Sequence, residues 1–272
     1  MSELRDVLVI EDEAVVRQAV ERVLTPEGLV VDLAADADDA REHLDRNRFR
    51  ALVCDLMLPA SSGFDLIPTA RDIYPLSQII VITGYATLDH ALDSFHAGVF
   101  DFLPKPFDTD EIRGVVGRAV AFHDLQAAGT PVGSIARRLE KRDPAVDAYR
   151  LGRHAWVTID ADGSATLGAA ETLGPALGRL HSIELPILGD RLPQGRALAR
   201  LISADRAIHR VWSPLSGQVI AVNDSLADEP SLLMASPFDR GWLAKIVPDS
   251  LDEAKRLESI PRLATAAANE PS

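Results

Sequence analysis

The stretch ALVCDLMLPASSGFDL (residues 51–66) decides the fold of the first half of the chain. It is a continuous apolar run that ends on a carboxylate, Asp55, and passes into a segment of Pro, Ser and Gly. Apolar runs without alternation indicate strands covered on both faces, which are typical of parallel sheets with helical crossovers. The only cysteine of the chain, Cys54, lies inside this run, and we predict that it is a small core residue.

The same pattern repeats on both sides of this stretch. Apolar runs alternate with segments of helical periodicity, which predicts a succession of strands and helices. The predicted strands are 6–10, 29–34, 51–55, 78–83 and 99–103, and the predicted helices are 13–24, 36–47, 63–73, 86–97 and 108–124. This order predicts an α/β domain with a doubly wound, flavodoxin-like (βα)5 sheet over residues 1–125.

The sequence pattern changes in the second half. Residues 126–148 are rich in Gly, Pro and charged side chains, and we interpret them as a linker. Short β-like runs separated by Gly, Pro and Asp-Gly turns then predict a compact, mainly β domain over residues 149–262. We expect a helix at 251–260 to close this domain and a frayed tail to follow at 263–272.

The composition argues against several classes of protein. The chain has 272 residues and a net charge of −13, whereas a general nucleic-acid binder carries a basic face. RRLEKR (137–142) is the only locally basic stretch, and we interpret it as a solvated helix or linker face. No apolar run approaches the roughly 20 residues of a membrane helix, and the early charged cluster does not resemble a signal peptide. Because a single cysteine fits a reducing compartment, we expect a cytoplasmic protein that binds neither nucleic acid nor membrane.

Polar side chains follow the predicted parallel strands at the edge where the carboxyl ends of the strands meet. Glu11 and Asp12 follow the first strand, Asp55 ends the third, Thr83 ends the fourth and Lys105 follows the fifth. Converging carboxylates repel one another unless a hard cation such as Mg²⁺ shares them. A lysine and a hydroxyl beside that cation could stabilise a transferred phosphoryl group, with Asp55 as the candidate nucleophile.

Four blocks in this half resemble the signature blocks of response-regulator receiver domains. They are IEDE (10–13), DLMLPASSGFDL (55–66), VITGYATLDHAL (81–92) and AGVFDFLPKPF (97–107). A small GTPase or nucleotide-dependent kinase is not supported, because the sequence has no G-x-x-x-x-G-K loop to cradle a nucleotide.

The resemblance implies a role for each matching residue and a Mg²⁺-dependent phosphorylation by a sensor histidine kinase. The implied roles are the phosphoacceptor (Asp55), the metal ligands (Glu11, Asp12, Asp55 and the Met57 backbone carbonyl), the switch pair (Thr83 and Phe102) and the phosphoryl-contacting cation (Lys105). Lys105–Pro106 matches the family's lysine-proline step, whose peptide bond is often cis, a geometry almost confined to proline.

The second half resembles the glycine cleavage system H-protein, a relative of the lipoyl and biotinyl carrier domains. HAWV (154–157), IELPILGD (183–190) and above all NDSLADEPSLLMASPFDRGWLAKI (223–246) carry this resemblance, which runs from about Tyr149 to Leu257. The resemblance implies a lipoyl-type β-sandwich, also called a barrel-sandwich hybrid.

The residue that defines an H-protein's chemistry is absent. The family attaches lipoate to a lysine at a hairpin tip, and counting back from Pro-Leu-Ser-Gly (214–217) places that position on Arg206. A guanidinium stays protonated and is not acylated as an amine would be. The lysines of the chain lie elsewhere: Lys105, Lys141, Lys245 and Lys255. We therefore expect no lipoate, and we interpret Arg206 either as a solvated tip charge or as a contact for a partner or an anionic ligand.

Together these features predict a two-component response regulator rather than an enzyme. Phosphorylation of Asp55 would control a protein–protein output through the H-protein-like domain, with an unknown protein partner and a possible phosphorylation-dependent homodimer. Two alternatives stay open, a domain that senses an acidic metabolite under receiver control and a carrier linked to glycine cleavage. A DNA-binding regulator is a third class, against which the acidity of the chain speaks.

Overall fold

The computed structural model describes residues 3–59, 61–84, 94–95, 97–129, 147–170 and 173–260. The chain forms two compact units, the first of which comprises Met1–Val132, Gly174–Ser182 and Arg200–Arg210, while the second comprises the rest. The predicted tail, most of the predicted linker and most of the predicted helix at 86–97 lie outside the described residues.

A parallel sheet forms the centre of the first unit. The strands are β1 (Glu3–Ile10), β2 (Val31–Ala34), β3 (Asn47–Asp55), β6 (Gln78–Thr83) and β7 (Asp101–Pro104), with β4 (Met57–Leu58) and β5 (Ser61–Ser62) pairing as a small hairpin. The order in the sheet is β2–β1–β3–β6–β7, which matches the predicted flavodoxin-like order and confirms the α/β class. All of β6 is buried, and β3 is buried from Ala51 to Asp55, as apolar runs in a parallel sheet require.

Helices with polar N-terminal caps pack against this sheet. Asp36 accepts hydrogen bonds from two amides in the first turn of the second helix, and Asp108 forms a reciprocal capping box with Glu111 at the start of the last helix. No helix in the described part of the chain is long and apolar enough to cross a membrane. The helices are α1 (Ala14–Leu24), α2 (Ala37–Arg46), α3 (Leu66–Ile73) and α4 (Thr109–Ala127), with 3₁₀ turns at Thr25–Glu27 and Gly63–Asp65.

The strands after Asp147 form two antiparallel sheets, which confirms the prediction of a mainly β second half. The strands are β8 (Asp147–Leu151), β9 (Ala155–Ile159), β10 (Ala165–Ala169), β11 (Leu180–Glu184), β12 (Arg191–Leu192), β13 (Ala197–Ser203), β14 (Ile208–Trp212), β15 (Gly217–Val222), β16 (Trp242–Pro248) and β17 (Glu258–Ile260), with short helices α5 (Gly174–Leu177), α6 (Ser225–Asp228) and α7 (Leu232–Ala235). One sheet has seven strands in the order β12–β15–β16–β10–β9–β8–β17, and the other has three in the order β11–β13–β14.

Trp156 is the largest fully buried side chain among the described residues of the second unit. It lies on β9 and packs against the ring of Phe238 at a centroid distance of 5.5 Å. On the neighbouring strand β10, any Cβ at Gly168 would overlap the Trp156 indole. This position therefore requires glycine because the indole lies directly against the backbone of β10.

The predicted closing helix at 251–260 is wrong in its second half. A 3₁₀ helix covers Leu251–Arg256, and the chain then turns into β17, which pairs with β8. The backbone becomes extended at Leu257, and Ile260 is buried opposite Ala148. Pairing with an available sheet edge and burial of the isoleucine outweigh the helical propensity of this short segment.

Candidate functional site

Carboxylates meet at the carboxyl edge of the parallel sheet. Glu11 and Asp12 follow β1, Asp55 is the last residue of β3, and one carboxylate oxygen from each lies within 4.8 Å of the others. The parallel register of β1 and β3 pairs Ile10 with Cys54 and so brings the residues that follow to one place. Glu11 and Asp55 are buried, whereas Asp12 is exposed to solvent. The structure thus brings together the acidic residues that the sequence placed at this edge.

Lys105 links the two buried carboxylates. Its Nζ lies 2.6 Å from Asp55 Oδ2 and 2.6 Å from Glu11 Oε2. Burial alone would lower the pKa of Lys105, but its hydrogen bonds and charge interactions with Asp55 and Glu11 outweigh burial and raise that pKa. The lysine therefore stays cationic and partly compensates the negative charge of the cluster.

The backbone around Asp55 shapes the approach to its carboxylate. Oδ1 of Asp55 accepts a hydrogen bond of 2.9 Å from the amide of Met57, which leaves Oδ2 for Lys105. Gly63 lies so close to the Asp55 carbonyl that a Cβ at this position would overlap it. The preceding Cys54 is buried, and burial raises the pKa of its thiol, as expected for a core residue without thiolate chemistry.

The donor set fits a hard divalent cation. Carboxylate oxygens are the ligands that Mg²⁺ prefers, and the exposure of Asp12 leaves the cluster open to water, which Mg²⁺ usually retains. Burial raises the pKa of Glu11 despite its contact with Lys105, so a nearby cation would favour its ionised form. The acidic cluster thus supports the predicted metal site, while the role of the Met57 carbonyl as a further ligand stays a prediction.

The two proposed switch residues lie on adjacent strands beside this cluster. Thr83 is the fully buried last residue of β6, and its carbonyl accepts a hydrogen bond of 2.8 Å from the amide of Lys105. Phe102 is buried on β7, opposite Val81 of β6. The Lys105–Pro106 bond is cis, as the resemblance implied. The switch roles of Thr83 and Phe102 stay predictions.

Arg206 lies at the tip of the hairpin between β13 and β14. It is exposed, and its φ of 68° is in the left-handed region, which is uncommon for a residue other than glycine. Its amide donates a hydrogen bond of 2.9 Å to the carbonyl of Ser203, and the amide of Ser203 donates one of 3.0 Å to the carbonyl of Ala207. Arg206 thus occupies a tight, hydrogen-bonded turn at an exposed tip, and its correspondence to the family's lysine stays a prediction.

Comparison with known protein families agrees with both halves of this structure. The family model described as response regulator receiver domain matches residues 7–117, and the model described as glycine cleavage H-protein matches residues 148–269. A glycine cleavage system H protein from Saccharophagus degradans is 36% identical over 110 residues, which are 40% of this chain and 84% of that protein. The chain joins a receiver domain to a member of the glycine cleavage H-protein family.

Among the relatives that match the receiver domain are curated regulators that are much longer than the matched part. NtrC from Proteus hauseri, described as a DNA-binding transcriptional regulator, is 31% identical over 121 residues, which are 44% of this chain and 26% of that protein. The chain therefore spans about a quarter of the length of that regulator. A CheY-like receiver domain protein of known structure from Methanospirillum hungatei is 25% identical, with a TM-score of 0.42 over 46% of this chain and 98% of that chain.

Two groups of charged side chains in the first unit were not predicted from the sequence. Glu13 places its Oε1 3.9 Å from the ammonium of Lys105, at the exposed side of the cluster. Asp101 and Arg118 form an ion pair that is buried on both sides and joins β7 to α4. An arginine among the apolar positions of a predicted helix was the signal for the second group, because a charged residue there requires a buried partner.

Proposed function

We propose that this protein is a two-component response regulator in which Mg²⁺-dependent phosphorylation of Asp55 controls a protein–protein output through a non-lipoylated H-protein-like domain. The receiver match supports the regulator class and a histidine kinase partner. The observation that carries the proposal is the position of the Lys105 ammonium, 2.6 Å from both Asp55 and Glu11 in a cluster of carboxylates.

The chemistry is a phosphoryl transfer to a carboxylate. An Asp55 oxygen attacks phosphorus, an O–P bond forms, and the bond from phosphorus to the kinase histidine nitrogen breaks. A Mg²⁺ ion held by Glu11, Asp12 and Asp55 would neutralise charge on the transferred phosphoryl group. Lys105 already touches Asp55 and can follow the phosphoryl oxygens, while the Met57 amide orients the carboxylate.

Phosphorylation controls the protein–protein output by favouring one of two conformations of the receiver domain. Phosphorylation shifts a conformational equilibrium only if the phosphoryl group interacts more favourably with one state than with the other. Thr83 and Phe102, both buried beside the site, are the side chains that we expect to shift. The partner of the H-protein-like domain is a protein, and a second phosphorylated receiver is a further candidate contact. We propose that the protein has no catalytic activity beyond phosphorylation and dephosphorylation of Asp55. We also propose that it is located in the cytoplasm, beside the kinase.

Arg206 supports the non-lipoylated state of the second domain. The hairpin tip keeps its exposed position and a tight turn, but its terminal group is a guanidinium in place of an amine. Neither lysine of the described β domain lies on this hairpin. Lys245 is on β16, with its Nζ 3.4 Å from Asp160, and Lys255 pairs with Asp252 at 2.6 Å. A hairpin of this kind can still serve as a contact surface.

We expect Arg206→Lys to gain a lipoyl group that the wild-type chain does not gain. Each protein is expressed with lipoate and a lipoyl ligase, and its intact mass is measured. The variant should carry one lipoyl increment because an amine then stands at the tip of an H-protein hairpin. Arg240→Lys, a matched change at another exposed arginine, should remain unmodified. A lipoyl increment on the wild-type chain would contradict the proposal and would favour a carrier in glycine cleavage.

A further inference from the structure

The hairpin of β13 and β14 contributes residues 200–210 to the first compact unit, where it meets helix α4. Arg210 donates a hydrogen bond to Oε1 of the buried Glu111. Two residues further along α4, the guanidinium of Arg113 donates a hydrogen bond of 2.9 Å to the carbonyl of Asp205. Two hydrogen bonds therefore hold the hairpin against the first turns of α4, one donated by the hairpin and one donated by the helix.

The backbones of the two elements also approach closely. A Cβ at Gly114 of α4 would lie 2.6 Å from the carbonyl oxygen of Ile208, so the hairpin lies here only because residue 114 is glycine. Gly117, one turn later, has nothing within 4 Å of a Cβ position. On the hairpin side His209 is buried, and burial lowers its pKa to about 3, so its imidazole is neutral at neutral pH. The close approach of the two backbones and the burial of His209 indicate that the hairpin makes a specific contact with α4.

Glu111 connects this contact to the phosphorylation site. One of its carboxylate oxygens accepts from Arg210, and the other accepts a hydrogen bond of 3.2 Å from the amide of Asp108, the N-cap of α4. Only Pro106 and Phe107 separate Asp108 from Lys105. A displacement of the Lys105 backbone is therefore transmitted directly to the capping box that positions Glu111.

We propose that the hairpin 200–210 is an intramolecular latch on α4 that phosphorylation of Asp55 releases. The inference rests on the proposed function, because the signal is the phosphoryl group. Lys105 now lies between Asp55 and Glu11, and a phosphoryl group on Asp55 draws the ammonium toward its oxygens and away from Glu11. The first turn of α4 then moves with the lysine loop, and the fit of Gly114 against Ile208 is lost. The hairpin that carries lipoate in H-proteins would thus report the state of the receiver.

The test exploits the reciprocity of coupled equilibria. If a phosphoryl group on Asp55 weakens the latch by a given factor, the unlatched state must bind a phosphoryl analogue at Asp55 more tightly than the latched state by the same factor. A substitution that opens the latch must therefore strengthen binding of the analogue, up to that factor. The probe is beryllofluoride with Mg²⁺, titrated into the full chain. We expect Gly114→Ala, whose methyl group displaces Ile208, to lower the apparent dissociation constant by about fivefold or more. Arg210→Gln should lower it in the same direction without a change in α4.

Gly117→Ala is the matched control, because it adds the same methyl group to the same helix at a position open to solvent. It should bind beryllofluoride as wild type does. Equal affinity of wild type, Gly114→Ala and Arg210→Gln would overturn the latch while leaving phosphorylation intact. Failure of the wild-type chain to bind beryllofluoride would instead overturn the proposed function, so the two failures are distinguishable.

Discussion

Asp55→Asn is expected to abolish labelling of the full chain by a small phosphodonor in the presence of Mg²⁺. In the proposed reaction the carboxylate of Asp55 attacks phosphorus, and an amide lacks both the charge and the nucleophilicity for this step. The substitution is nearly isosteric, so the hydrogen bond from Met57 can persist through the amide oxygen. Incorporation of labelled phosphate, measured after denaturing electrophoresis, should fall to background.

Two controls accompany this measurement. Asp45→Asn replaces an exposed carboxylate on α2 and should leave labelling unchanged. Removal of Mg²⁺ with a chelator should suppress labelling of the wild-type chain, because Glu11, Asp12 and Asp55 then lack the cation that offsets their charge. Equal labelling of wild type and Asp55→Asn would show that phosphate attaches elsewhere.

Arg118→Met is expected to lower the free energy of unfolding by about 3–5 kcal/mol, the usual cost of leaving one partner of a buried ion pair uncompensated. Arg118 and Asp101 are only 2% and 4% exposed, and the guanidinium also lies 4.8 Å from the ring centre of Phe100. Asp101 further accepts a hydrogen bond of 2.7 Å from the amide of Phe102. Loss of the arginine therefore leaves the charge of Asp101 buried and unpaired next to Phe102.

Chemical denaturation measures this effect against two reference variants. Arg41→Met removes a partly exposed arginine that pairs with the exposed Asp38, and its effect should stay within about 0.5 kcal/mol. The double variant Asp101→Asn with Arg118→Met should recover part of the loss, because no unpaired charge remains buried. A single Arg118→Met variant as stable as Arg41→Met would contradict the assignment of this pair as a buried structural link.

Features that depend on local sequence and on parallel register could be predicted from the sequence. The strand predicted at 78–83 matches β6 because an unbroken apolar run ends at Thr83 and Gly84. The convergence of Glu11 and Asp55 follows from the topology, since parallel strands bring their carboxyl ends to one edge. The type of each residue and its place at a strand end were therefore sufficient to predict this part of the site.

Features that depend on distant partners could not be predicted in this way. Glu111 and Arg210 are 99 positions apart in the sequence, and no local pattern links a helix cap to a hairpin. The spacing of Asp108 and Glu111 does signal a capping box, but the second oxygen of Glu111 finds its partner only in the folded chain. Likewise, the strand at Glu258–Ile260 forms because β8 offers an edge, which the helical propensity of the segment does not reveal.

The central claim is that the state of Asp55 controls the H-protein-like domain, and hydrogen–deuterium exchange of the full chain tests it most directly. Exchange is measured with and without beryllofluoride and Mg²⁺, for wild type and for Asp55→Asn. We predict that beryllofluoride changes the exchange of wild-type peptides within residues 148–260, including the hairpin that carries Arg206, and changes nothing in Asp55→Asn. A change confined to residues 3–129 of the wild-type chain would contradict the claim, because the receiver would then switch without affecting the domain that it is proposed to control.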